Sequence, residues 1–210
     1  MNIVKNNTKE FLDIYVTTVC DPLPEYHVFH ETRDKELCAV SNERVKREKY
    51  SAWLLLERAV KESLGLSMDE AELTKDKNGK WISPHFYLSI SHCTSLVTVA
   101  ISHAPVGIDI ELLGKERPVT FAKKNLNQRE LDDYFALGEG ERDEFLLTRW
   151  CAKEAIFKKD GGALFIPSSV DSYSQSIISK TFSYGFEKYA AVVSTDTDIK
   201  PRVIDLAGIG

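Results

Sequence analysis

Two acidic side chains alternate with apolar ones in the segment Val-Gly-Ile-Asp-Ile-Glu, residues 106–111. This alternation predicts a strand whose apolar residues share one side, while Asp109 and Glu111 share the other. On a strand the two carboxylates lie ~6.6 Å apart, and Gly107 lets another group approach the backbone closely. Paired carboxylates are suitable ligands for a hard divalent cation such as Mg²⁺. A solvated strand face would show the same pattern.

A second group follows in the stretch Trp-Cys-Ala-Lys-Glu-Ala-Ile-Phe-Lys, residues 150–158. Its apolar residues predict a helix, and Glu154 and Lys158 share one face because they are four residues apart. A solvated ion pair worth ~0.3–0.5 kcal/mol would look the same. Taken with Asp109 and Glu111, Glu154 supplies a third carboxylate for one metal ion. Lys158 supplies the cation that phosphate chemistry requires beside it.

Three further sets of polar side chains could contact a phosphate. Ser91 and His92 lie where a predicted strand enters a turn, and Lys80 follows a glycine in an earlier turn. The first half of a predicted helix is strongly basic and contains Arg44 and Arg47. For these basic residues, a solvated helix face is the alternative interpretation.

The elements that must position these residues follow an α+β pattern. Strands are predicted at 10–19, 86–91, 96–102, 106–111, 176–182, 189–194 and 202–206, and helices at 26–40, 43–64 and 141–159. A capping box, Asn127–Glu130, opens a further short helix. The helix that begins Glu43-Arg44 has a weak repeat at Glu141-Arg142. We therefore expect two similar halves, residues 1–105 and 106–210. Each would be a long helix packed on antiparallel strands, with the active site in the cleft between them.

The composition favours a globular protein over a nucleic-acid-binding or membrane-spanning one. A chain of 210 residues with 43% hydrophobic residues can bury a real core, and its net charge of −5 argues against broad nucleic-acid binding. The sequence has no apolar run of the ~20 residues that a membrane span needs. We expect no signal peptide, because residues 1–7 lack its apolar core and small-residue cleavage site. The cysteines are scattered, without metal-ligand spacing, which favours a reducing compartment. We expect a cytoplasmic monomer that binds neither nucleic acid nor membrane.

The motifs together resemble a known family. Gly107–Glu111 and Trp150–Lys158, with Ser91-His92 before both, resemble the 4′-phosphopantetheinyl transferases. The larger, surfactin-synthetase-activating type is a better match than the small trimeric acyl-carrier-protein synthases. The resemblance implies Mg²⁺-dependent transfer of phosphopantetheine from coenzyme A to a serine of an apo acyl- or peptidyl-carrier protein, releasing adenosine 3′,5′-bisphosphate. It also implies a role in fatty-acid, polyketide or nonribosomal-peptide biosynthesis, and an acidic helical carrier protein as partner.

The resemblance assigns roles at the metal end of the site. Asp109, Glu111 and Glu154 would be magnesium ligands, and Lys158 would contact the coenzyme A phosphates. Glu130 would be the proton acceptor for the serine hydroxyl, with a metal-bound water or Lys158 as alternatives.

At the nucleotide end, the resemblance implies phosphate contacts from a set of polar residues, namely Ser91, His92, Lys80, Arg44 and Arg47. The two arginines would hold the 3′-phosphate. Two departures from the family pattern are visible. Trp81 replaces the proline that follows Gly-Lys, which affects the path of that loop. Cys93 replaces a serine and removes a possible hydroxyl contact.

Two other functions are alternatives to phosphopantetheine transfer. A Mg²⁺-dependent hydrolase of nucleotide pyrophosphates would use the same acids and lysine, with water as the nucleophile. A non-catalytic coenzyme-A-binding module is the third possibility.

Because the chain itself is acidic, an acidic carrier protein needs a local basic or apolar surface. We expect that surface at Lys123, Lys124 and Arg129, flanked by Phe121 and Leu126.

Overall fold

The computed structural model describes residues 10–24, 29–173 and 176–206. These residues form an α+β fold with mainly antiparallel sheets, as predicted. The strands are β1 (Leu12–Thr18), β2 (Thr74–Lys75), β3 (Trp81–Ile82), β4 (Tyr87–Cys93), β5 (Leu96–Ser102), β6 (Val106–Leu112), β7 (Ile177–Tyr184), β8 (Glu187–Thr195) and β9 (Arg202–Asp205). The helices are α1 (Glu31–Ala39), α2 (Glu43–Leu64), α3 (Val119–Asn125), α4 (Gln128–Ala136), α5 (Glu139–Asp160) and the 3₁₀ turn η1 (Pro167–Ser169).

The chain divides into two compact units, of which the first is Met1–Pro105 with Asp198–Gly210. Its four-stranded sheet has the order β4-β5-β1-β9, and α2 packs on it. This helix begins and ends as the sequence predicts. The Asn42 side chain accepts a hydrogen bond from the amide of Val45 (3.1 Å), and Gly65 ends the helix in the left-handed region (φ 70°).

The last strand of the chain belongs to this first unit. β9 pairs in parallel with β1, whereas β1 is antiparallel to β5. The guanidinium of Arg202 donates two hydrogen bonds to the carboxylate of Asp13, at 2.9 and 2.6 Å. The sequence predicts that residues 106–210 form the second half, whereas β9 pairs with β1 of the first unit.

The second unit is Val106–Thr197. Its three-stranded antiparallel sheet has the order β6-β8-β7, and α5 packs on β6 and β8. α5 buries Leu147, Cys151 and Ala155 together with Val192 of β8 in one apolar cluster. The helix and the sheet form the frame that carries the acidic residues.

Helix α1 begins at Glu31, and the expected start at 26–28 lies outside the described residues. All cysteines are free thiols. Among the residues that the structure describes, no helix has the length and apolar character of a membrane span.

Candidate active site

Strand β6 and helix α5 meet in direct backbone contact at Gly107. A Cβ atom on this residue would lie 1.9 Å from the carbonyl oxygen of Ala155 and 2.6 Å from the amide nitrogen of Lys159. The glycine therefore admits the helix itself against the strand. The side of β6 that carries Asp109 is covered as a result, and Asp109 is only 3% exposed. The solvated-face interpretation is thereby excluded for this residue.

The close contact brings Lys158 of α5 to the acidic side chains. The Lys158 Nζ atom donates a hydrogen bond to Asp109 Oδ1 at 2.6 Å and lies 3.5 Å from Glu154 Oε2. Its side chain is 27% exposed, so it borders both the buried carboxylate and solvent. The pair Glu154–Lys158 is thus part of a larger network and is not an isolated surface ion pair. We call Asp109, Glu111 and Glu154 the carboxylate cluster.

Burial and electrostatic repulsion raise the pKa values of two groups of the carboxylate cluster, Glu111 and Glu154. Burial raises the pKa of Glu154 to about 7, with the charge of Asp109 as a further cause. Burial and Asp109 also raise the pKa of Glu111. Burial alone would lower the pKa of Lys158, but the attraction of Asp109 and Glu154 outweighs it and the pKa rises. Lys158 therefore stays protonated.

Glu111 has two partners whose contacts with it the sequence did not predict. Arg117 Nη2 lies 4.0 Å from Glu111 Oε2, and Arg117 Nη1 lies 3.2 Å from Asp143 Oδ1 on α5. The indole of Trp150 hydrogen-bonds to Glu111, and both contacts lower the pKa that burial raises. The Arg-Pro pair after a polar loop gave no recognisable signal, because only the fold brings Arg117 back to Glu111.

The chemistry of the carboxylate cluster fits a hard divalent cation, since all its donors are carboxylate oxygens. In the part of the chain that the structure describes, no three His, Cys, Asp or Glu side chains are arranged to hold a metal ion as they stand. The ammonium group of Lys158 instead contacts Asp109 and Glu154. Coordination by all three acids would require their side chains to converge and Lys158 to release Asp109.

Glu130 lies in a different environment. Its side chain and that of Lys153 are both 0% exposed, and Lys153 Nζ lies 2.7 Å from Glu130 Oε2. Glu130 forms the predicted capping box with Asn127 and also accepts hydrogen bonds from Ser172. Burial lowers the pKa of Lys153, although Glu130 opposes this shift. The expected proton acceptor is therefore enclosed and already bonded on several sides.

In the first unit, Glu48 connects two of the expected phosphate contacts. Its buried carboxylate accepts a hydrogen bond from Arg44 Nε at 2.9 Å and lies 3.2 Å from His92 Nδ1. Arg44 and His92 are thus brought to one acid, although they are distant in sequence. Only the spacing of four residues between Arg44 and Glu48 could have indicated this pairing.

The other expected phosphate contacts are more dispersed. Arg47 Nη1 lies 2.5 Å from Asp21 Oδ1 and keeps about a third of its side chain exposed. Ser91 is buried in β4, whereas His92 is partly exposed. Lys80 lies in the β2–β3 turn, where its amide donates to Asp76 Oδ1 at 2.9 Å. Trp81, which replaces the family's proline, packs edge-on against Trp53.

The family model that matches this chain covers most of the second unit. Residues 105–191 match the model of the 4′-phosphopantetheinyl transferase superfamily. The 4′-phosphopantetheinyl transferase Sfp of Bacillus subtilis (strain 168) is 32% identical over 93 residues, covering 43% of this chain and 39% of Sfp. The 4′-phosphopantetheinyl transferase psf-1 of Bacillus pumilus is 26% identical over 155 residues, covering 72% and 58%.

A smaller relative matches a shorter part of the chain. The holo-[acyl-carrier-protein] synthase of Mycoplasma genitalium is 38% identical over 60 residues, covering 25% of this chain and 53% of that protein. The chain spans less than two thirds of the length of each of these relatives. The matched segment contains the carboxylate cluster, Lys158 and Glu130. Residues 105–191 are thus similar to the 4′-phosphopantetheinyl transferase superfamily, and the transferases that the chain matches include Sfp.

Proposed function

We propose that the protein transfers the 4′-phosphopantetheine group of coenzyme A to a serine of an apo carrier protein, with release of adenosine 3′,5′-bisphosphate. One observation carries this proposal: a buried Asp109, Glu154 and Lys158 meet between β6 and α5, within residues that match the family. Names of relatives support the reaction, since they include 4′-phosphopantetheinyl transferases and a holo-[acyl-carrier-protein] synthase.

Asp109, Glu111 and Glu154 would hold Mg²⁺. When bound, the ion would neutralise charge on the pyrophosphate of coenzyme A and on the departing nucleotide. Lys158 would leave its 2.6 Å contact with Asp109 and donate charge-assisted hydrogen bonds to the pyrophosphate oxygens. Arg117 and Trp150 would keep Glu111 oriented through the contacts described above.

The first unit would bind the nucleotide end of coenzyme A. Arg47 and Arg44 would contact the 3′-phosphate, because an arginine fork suits a phosphate group. His92, Ser91 and Lys80 would contact the remaining phosphates. The sequence repeat alone supports the further proposal that the expected halves, residues 1–105 and 106–210, are similar and border one cleft.

The partner would be an acidic, helical carrier-protein domain, with Lys123, Lys124 and Arg129 as part of the docking surface. Lys123 and Lys124 form the exposed last turn of α3, and Phe121 beside them packs against Trp150 with the ring centroids 5.3 Å apart. A basic turn next to an apolar side chain suits an acidic partner. We propose a cytoplasmic location because the cysteines are free thiols.

A product assay tests transfer against hydrolysis. Coenzyme A and Mg²⁺ are incubated with the protein, with and without an apo carrier protein, and adenosine 3′,5′-bisphosphate is quantified by chromatography. Transfer predicts release only when the apo carrier is present. Equal release without an acceptor would show a pyrophosphate hydrolase. Tight coenzyme A binding without any release would show a non-catalytic binding module.

A further inference from the structure

We propose that Glu130 is a positioning residue that acts through Lys153 and does not accept the proton of the carrier-protein serine. This inference rests on the proposed function for its kinetic part. It concerns a buried ion pair on the two helices α4 and α5, in which both side chains are 0% exposed. The pair contacts a segment that follows α5, residues 167–173, which we call the anchored segment.

Every proton of the Lys153 ammonium has a partner in this pair or in the anchored segment. Nζ lies 2.7 Å from Glu130 Oε2 and donates to the carbonyl oxygens of Pro167 at 2.9 Å and Val170 at 2.6 Å. An ammonium group has three donors, so these contacts account for all of them. Lys153 therefore ties both ends of η1 to α5.

Both oxygens of the Glu130 carboxylate likewise have hydrogen-bond partners. Oε2 accepts from the amide of Asn127 at 2.8 Å in addition to Lys153. Oε1 accepts from the amide of Ser172 at 3.1 Å and from the Ser172 hydroxyl. An ionised carboxylate has about four acceptor sites, and four contacts fill them. A proton acceptor must lie within hydrogen-bond reach of its donor, and this carboxylate has no exposed surface to offer one.

The anchored segment leads to the carboxylate cluster through a short series of contacts. Phe165, which lies just before the segment, packs against Trp150 (5.7 Å between ring centroids) and Phe157 (4.9 Å). Trp150 hydrogen-bonds to Glu111. Arg149 donates from Nη1 to the carbonyl oxygen of Ser172 at 3.1 Å. The buried pair thus fixes the turn of α5 that carries Trp150 and Glu154.

Hydrogen–deuterium exchange tests the anchoring without reference to activity. In Lys153→Met the Glu130 charge loses its partner, and exchange in the anchored segment should rise at least tenfold above that in the wild-type protein. The matched control is Lys159→Met on the same helix, whose lysine pairs with Asp196 at 2.5 Å; it should leave exchange in the anchored segment unchanged. Unchanged exchange in Lys153→Met would overturn the proposal. So would a loss of protection spread over all of the second unit, since the pair would then support the whole unit.

Kinetics as a function of pH test the role of Glu130. In Glu130→Gln, measured below its melting temperature, kcat should fall by no more than about tenfold, and the shape of its pH profile should not change. Loss of a proton acceptor would instead reduce kcat by about 100-fold or more and flatten the acidic limb, which would overturn the proposal.

A double variant separates positioning from chemistry if a single variant folds poorly. Removing both charges should restore much of the stability lost in Lys153→Met. In Glu130→Gln/Lys153→Met the melting temperature and kcat should therefore recover together. A double variant that regains stability but not kcat would identify Glu130 as the proton acceptor. If the wild-type protein releases no adenosine 3′,5′-bisphosphate with an apo carrier, the proposed function fails, whereas the exchange result stands alone.

Discussion

The carbonyl oxygen of Ala155 occupies the space that a Cβ atom on Gly107 would need. Such a Cβ atom would lie only 1.9 Å from this oxygen. Because the strand and the helix touch through their backbones, residues on facing sides of β6 and α5 come unusually close. The 2.6 Å contact between Lys158 and Asp109 depends on this approach. The Gly-Ile-Asp motif is therefore as much a packing requirement as a chemical one.

Gly107→Ala should destabilise the protein severely, because the added methyl group meets backbone atoms that cannot move separately. We expect a loss of about 3 kcal/mol or more in the free energy of unfolding, measured by denaturant titration. Gly140→Ala is the matched control, since Gly140 lies in α5 and a Cβ there would meet nothing within 4 Å. It should be neutral or stabilising by up to about 1 kcal/mol. Equal effects of the two substitutions would contradict the packing argument.

Metal binding should depend on pH because burial and Asp109 raise the pKa of Glu154 to about 7. Below that pH the carboxyl group is largely protonated, so a cation must displace a proton in order to bind. The affinity for Mg²⁺ should therefore fall by about tenfold between pH 8 and pH 6. Calorimetry in two buffers of different ionisation enthalpy should detect proton release near pH 7. Glu154→Gln should abolish that release, and release that persists in this variant would assign the proton to another group.

Local sequence signals predicted where helices begin and end, but not which distant segments pair or pack together. The Asn42 and Gly65 caps of α2 and the Asn127–Glu130 capping box were predictable, because they depend on residues close in sequence. The pairing of β9 with β1 was not, since the partners lie at opposite ends of the chain.

In the candidate site, too, local sequence motifs predicted some features, and others depend on the three-dimensional fold. Asp109, Glu154 and Lys158 could be identified as one site from motif and spacing, and the structure brings these three together. The burial of Asp109, and the contribution of Arg117, arise from the close contact of α5 with β6. The enclosure of Glu130 by Lys153 likewise needs the three-dimensional fold, because no spacing rule relates residues on α4 and α5.

Arg47→Ala should weaken binding of coenzyme A more than binding of dephospho-coenzyme A, which lacks the 3′-phosphate. A charge-assisted hydrogen bond to phosphate is worth roughly 1.5–3 kcal/mol, so the selective loss should be about 10- to 100-fold by calorimetry. Arg58→Ala on the same helix, whose arginine pairs with Glu62, is the control and should affect neither ligand. Equal losses for both ligands in Arg47→Ala would show that Arg47 belongs to a solvated face.

Reversal of charge at Lys123 and Lys124 should impair recognition of the carrier protein. Both lysines are exposed at the end of α3, where they would contribute to an electrostatic attraction for an acidic partner. Lys123→Glu/Lys124→Glu should raise KM for the carrier protein by about tenfold and leave KM for coenzyme A unchanged. Lys180→Glu, an exposed lysine of β7, is the control. If both constants rise together, the docking surface lies elsewhere.

The most direct test of the transfer reaction is mass spectrometry of an intact apo carrier protein after incubation with coenzyme A, Mg²⁺ and the protein. The wild-type protein should add one phosphopantetheine group to the carrier. Glu154→Gln removes one carboxylate of the cluster without changing side-chain size, so it should fold normally, as judged by circular dichroism, and add none. A carrier that gains no mass with the wild-type protein, or gains it equally fast with Glu154→Gln, would contradict this account.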